Sequence, residues 1–133
     1  MIEIINLSGG DKDVSKDFLK KIAEKVLKLE KSKLDLSIAL VDSSEIRKLN
    51  KKYRKKDKAT DVLSFGEDMN QIVICCDEVK KNGQDFEKEL TRVVIHGTLH
   101  LLGYEHEKGG KKEKEMLSLQ EEYLLKIFKK CLN

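Results

Sequence analysis

The sequence predicts an α+β fold, a small mixed β-sheet of about four strands packed with helices. Three observations carry this expectation. Short β-branched or alternating runs recur along the chain, and longer segments with apolar residues at helical spacing fall between and after them. Their order reads β-α-β-α-β-β-α-α, which brings both parallel and antiparallel neighbours within reach. With 133 residues and no repeat or low-complexity linker, the chain is expected to form a single domain over 1–133.

Each element has its own signal. IEIINL (2–7) reads as the first strand. Apolar positions 14, 18, 19, 22, 23, 26 and 27 then mark an amphipathic helix to about Glu30. LDLSIALV (34–41) alternates and reads as the second strand. Asp42, three residues before Glu45, resembles a capping box and starts a helix expected to bury Ile46, Leu49 and Tyr53. DVLSF (61–65) and QIVICC (71–76) are two further strands. A helix from about Gln84–Phe86 to Leu102 follows, apolar on all sides of its second half and therefore expected in the core. Gly103 is a natural stop for it. Met116, Leu119, Tyr123, Leu124, Ile127 and Phe128 mark a last amphipathic helix.

Composition narrows the class. Charged residues make up 38% of the chain and apolar ones 39%. No stretch approaches the roughly 18 consecutive apolar residues of a membrane helix, and MIEIINLSGG has no signal-peptide pattern. A cytoplasmic, membrane-free protein is expected. The three cysteines, an odd number with Cys75 and Cys76 adjacent, argue against a disulfide framework and read as small buried hydrophobes. In an extended segment, Cys75 and Cys76 point to opposite faces. Net charge is +3, but eight of the 27 basic residues and one of the 24 acidic ones lie between Arg47 and Lys58. This basic block on a net acidic remainder suits a polyanion, although a lysine run alone is more commonly a solvated helix face.

All three histidines fall within HGTLHLLGYEH (96–106). His96 and His100, at i and i+4, project from one helix face, and Gly103 lets the chain turn back so that His106 can approach from the following loop. Three imidazoles suit Zn2+, and three protein ligands leave an open position, the catalytic pattern. Nickel or another divalent ion fits the same donor set. The H-x3-H-x5-H spacing with glycine at +7 is that of the metzincin zinc peptidases, in which a glutamate beside the first histidine is the general base. Here Gly97 occupies that position and can transfer no proton.

HGTLHLLGYEH resembles the H-G-x-L-H-L-x-G-Y-D-H signature of the YbeY family, bacterial zinc-dependent endoribonucleases. LNKKYRKKDKATDVLSF (49–65) is similar to a second family block, L-N-x-x-Y-R-x-x-D-x-x-T-D-V-L-S-F. The departures are Glu105 for an aspartate, Gly66 for a proline, and Asn70-Gln71 for Gly-Asp. The resemblance implies that His96, His100 and His106 hold one zinc ion and that Arg54 is the functional arginine. It further implies cleavage of single-stranded RNA in the maturation of small-subunit ribosomal RNA, and ribosome quality control with the small subunit or ribosome-associated proteins as partners. Zinc would lower the pKa of its bound water from about 15.7 toward 7, and Arg54 would grip phosphate oxygens. Asp57 and Asp61 could orient Arg54 or a ligand histidine, or equally cap turns. Two other readings stay open: a metzincin-like zinc peptidase, and a non-catalytic ribosome-binding factor stabilised by zinc.

Overall fold

The computed structural model describes residues 1–8, 14–66, 68–104 and 110–131, the last three as backbone only. In it the chain runs β1 (Ile2–Asn6), α1 (Lys16–Leu29), β2 (Leu36–Leu40), α2 (Ser43–Arg54), β3 (Val62–Phe65), β4 (Gln71–Ile74), α3 (Cys76–Val79), a 3-10 turn (Lys80–Asn82), α4 (Phe86–Leu101) and α5 (Lys111–Cys131). The strands form one mixed sheet in the order β1-β2-β4-β3. β1 and β4 flank β2 in parallel, Ile4 opposite Ile38 and Ile38 opposite Ile72. β3 closes one edge antiparallel to β4, with Ser64 opposite Ile72. The predicted α+β class with about four strands is the one observed.

Period-two alternation divides the sheet between two helix layers. Leu36, Ile38 and Leu40 of β2 and Ile72 and Ile74 of β4 enter the main core with α1, α4 and α5. The intervening Val73, with Val41, Leu63 and Cys75, packs on the opposite face against Ile46 of α2. α1 buries Leu19, Ile22, Ala23, Val26 and Leu27, the stripe the spacing predicts, and starts where Ser15 Oγ accepts the Phe18 N–H at 3.2 Å. α4 lies between the sheet, α1 and α5, which is why its second half is apolar all round.

Gly97 sets how closely α4 approaches the sheet. A Cβ at this position would lie 2.9 Å from Ile72 Cγ2 and 3.1 Å from Ile72 Cγ1. Any side chain here would be driven into a fully buried isoleucine of the central sheet.

Two local expectations are corrected. The fourth strand ends at Ile74; Cys75 is the N-cap of α3 and Cys76 its first residue. A four-residue helix is too short to register as helical periodicity. The two thiols still part as expected, since both are buried and neither is in a disulfide, Cys75 beneath α2 and Cys76 in the main core. Tyr53 is not on a buried face: it is 47% exposed, its ring edge-on to Phe65 with centroids 5.1 Å apart. Asn50 takes the buried place on α2 instead.

Candidate active site

The site forms where α4 and the end of α2 meet around edge strand β3. Asp85 caps the start of α4, its Oδ1 accepting the Lys88 N–H at 3.2 Å. Ten residues on, His96 and His100 stand on successive turns with ring centroids 4.8 Å apart, inclined at 67°. Both are half-buried. Just past the helix, Gly103 takes φ +100, the left-handed conformation that ends it and turns the chain away. The third expected ligand, His106, and the variant residue Glu105 lie outside the described residues. Among the described residues no three His, Cys, Asp or Glu side chains converge on a common point.

Arg54 arrives from the other side of the sheet. Asp42 caps α2, its Oδ1 accepting the Glu45 N–H at 2.8 Å as the capping-box reading expects. The helix ends at Arg54 because Lys55 adopts φ 59 and its N–H returns to Lys51 O at 3.2 Å. The Arg54 guanidinium donates from Nη2 to Ser64 O at 2.8 Å and lies 5.7 Å from the Phe65 ring centroid. Edge position leaves Ser64 O without a strand beyond it, so it can hold the arginine across the sheet edge. The following loop is tied down by buried Asn50, whose Nδ2 donates to Lys58 O at 2.9 Å.

These parts enclose a cavity of about 770 Å³ lined by Arg54, Lys56, Lys58, Ser64, His96 and His100 among others. Among the described residues, none of the side chains lining it is acidic. Asp57 instead accepts from Arg47 Nε at 2.8 Å, and this bond holds its carboxyl below the usual carboxylate range. Asp61 accepts from Asn82 Nδ2 at 2.9 Å. Both aspartates therefore tie the loop to side chains elsewhere, a role neither sequence alternative named, and neither touches Arg54 or a described histidine. Two imidazoles and three cations on one cavity suit a metal and an anionic ligand. His100, in the last turn of α4, also sits at the helix end that favours positive charge.

Behind the histidines lies a chain of polar contacts that the sequence reading missed. His96 Nδ1 is 2.6 Å from Oε1 of Gln120, a residue of α5 that is 6% exposed. Gln120 Nε2 donates to Glu121 Oε2 at 3.1 Å. Arg92 grips Glu121 with Nε and Nη2, each at 3.0 Å, and reaches Glu89 with Nη1. The hydrogen bond from Arg92 lowers the Glu121 carboxyl below its ordinary range, and the two carboxylates raise the guanidinium. The available signal was a lone glutamine on the apolar stripe of the last helix, four residues after Met116. Tyr104 packs partly buried against the main core, its hydroxyl donates to Glu30 at 2.7 Å, and Tyr123 donates to the other Glu30 oxygen. Among the described residues, no helix is long and apolar enough to cross a membrane.

Comparison with known proteins places the sequence and the fold. The family model described as endoribonuclease YbeY matches residues 4–128. The endoribonuclease YbeY of Aquifex aeolicus is 43% identical over 129 residues, covering 87% of this chain and 86% of the relative. That of Persephonella marina is 39% identical over 134 residues, covering 90% and 88%. A solution structure from Thermotoga maritima, 38% identical, superposes with a TM-score of 0.72 over 98% of this chain and 91% of the other. A match over nearly the whole chain, in sequence and in fold, carries the resemblance of the two motif blocks to its conclusion: the chain belongs to the YbeY family of endoribonucleases.

Proposed function

We propose that this chain is a metal-dependent endoribonuclease selective for single strands, acting in the cytoplasm on small-subunit ribosomal RNA during its maturation and in ribosome quality control. The observation that carries the reading is the cavity in which His96 and His100 face a basic wall of Arg54, Lys56 and Lys58 with no acidic lining side chain among the described residues. Family membership adds the activity named for the relatives.

Each residue has a task that follows from its chemistry. Arg54 cannot lose its proton, and its planar fork can hold two phosphate oxygens while Ser64 O fixes its orientation. Lys56 and Lys58 follow the backbone charge without reading bases. His96 and His100, with His106, would hold a zinc ion, and the imidazole donor set fits that metal. When bound, the metal supplies Lewis acidity toward a phosphoryl oxygen and toward water. The peptidase reading loses ground on sterics as well as chemistry, because position 97 faces Ile72 and has no room for a glutamate.

The test is a comparison of substrates. Incubated with single-stranded RNA, duplex RNA and an unstructured protein, the zinc-loaded chain is expected to cut the single strand preferentially and leave the protein intact. Arg54→Ala should retain folding and lose most of the cleavage. Proteolysis dependent on His96 would reverse the assignment, and RNA cleavage untouched by Arg54→Ala would favour a non-catalytic binding role.

A further inference from the structure

We propose that Gln120 is a positioning residue for His96: held by Glu121 and Arg92, its amide fixes His96 in the tautomer protonated on Nδ1, so that Nε2 carries the lone pair. Its consequence for metal binding rests on the function proposed above; the tautomer itself does not.

The contacts determine the direction of every hydrogen bond. Arg92 has only donors, so the Glu121 oxygens it grips at 3.0 Å are held as acceptors. Glu121 Oε2, a carboxylate oxygen, can only accept from the Gln120 amide at 3.1 Å, which assigns the NH2 group to that side. The carbonyl oxygen of Gln120 must then face His96, and at 2.6 Å it requires a proton on Nδ1. Exchanging the amide ends would set oxygen against carboxylate, so the orientation is locked from Arg92 outward. Gln120 is 6% exposed, so water competes poorly at its amide, while the Arg92–Glu121 pair that orients it lies toward solvent, with Arg92 held from a second side by Glu89 at 2.6 Å. A metal-binding imidazole ordinarily has its other nitrogen fixed in this manner, by a carboxylate, carbonyl or water. Here a side-chain amide from α5 supplies the acceptor and couples the last helix to the candidate ligand.

The experiment reads the tautomer in metal-free protein with 15N-labelled imidazoles, by proton–nitrogen correlation at about pH 8, where an ordinary imidazole is neutral. Wild type should show His96 protonated on Nδ1. Gln120→Met, similar in length but without the acceptor oxygen, should shift His96 to a tautomer mixture and weaken zinc binding about 10- to 100-fold by chelator competition. Gln120→Glu combined with Glu121→Gln restores an acceptor oxygen toward His96 with an amide donor beside it, and should recover both readouts. Should Gln120→Met fail to fold, Glu121→Leu leaves Gln120 in place, frees its amide to turn, and is expected to give the same mixture. A wild-type His96 protonated on Nε2 overturns the proposal, as does a Gln120→Met protein with unchanged tautomer and zinc affinity. Expected tautomers in a wild type that takes up no zinc would support the lock and refute the metal reading instead.

Discussion

Replacing Gly97 with alanine tests whether this glycine is dictated by packing. In an ordinary helix interior the substitution stabilises, by about 1 kcal/mol of helix propensity. Here the added methyl would come within 2.9, 3.1 and 3.2 Å of three atoms of Ile72. The nearest, Cγ2, is a β-branch held stiffly to the backbone, and Ile72 has no exposed surface into which to retreat. Overpacking of this kind costs about 1–3 kcal/mol, and three close contacts place it toward the upper end. A net loss of about 1–2 kcal/mol is expected, which for a chain this size lowers the melting temperature by roughly 4–8 °C. The assay is thermal and urea unfolding of Gly97→Ala, Ile72→Ala and the double variant. Ile72→Ala alone should cost about 2–5 kcal/mol. The double variant should be more stable than the sum of the two by about the size of the clash, because all three opposing atoms are gone. A Gly97→Ala protein as stable as wild type or more so would refute the steric argument and return Gly97 to a purely chemical explanation.

Three other outcomes follow from the same contacts. Arg54→Lys should behave almost as Arg54→Ala in RNA cleavage, since a point charge cannot reproduce the fork, and stability should change by less than about 0.5 kcal/mol at this exposed site. RNA affinity should fall steeply with salt, and Lys56→Ala with Lys58→Ala should reduce the slope of log affinity against log salt by about one per phosphate contact removed. The hydrogen bond to Glu30 raises Tyr104, while burial first and Glu30 second raise Tyr123. Their stabilisation is therefore complete below the unfolded phenol value of about 10 and is lost as pH rises through the higher folded values. Melting temperature measured from about pH 8 to 11 should fall less in Glu30→Gln than in wild type; parallel curves would contradict this clamp.

The sequence made the layers legible because each element's periodicity reports which face is buried. The α1 stripe, the Asp42 cap and the Gly103 stop appear in the structure where the residues predict them. Periodicity does not name partners, and the misses lie there. Gln120 stands 24 residues from His96, and Asp57 finds Arg47 instead of Arg54. Tyr53 continues the apolar spacing of α2, but the helix overhangs the small core patch beneath it and leaves the ring exposed. Gly97 carried a correct exclusion of the peptidase base, whereas its contact with Ile72 needed the sheet to become visible.

The most direct measurement pairs metal content with RNA cleavage for wild type and His100→Ala, both purified without added metal. Wild type should carry about one divalent ion per chain and cut single-stranded RNA. His100→Ala should melt cooperatively while losing both the ion and the cleavage. Undiminished cleavage by metal-free protein or by His100→Ala, or unfolding of the variant in place of loss of activity, would contradict a catalytic metal site on α4.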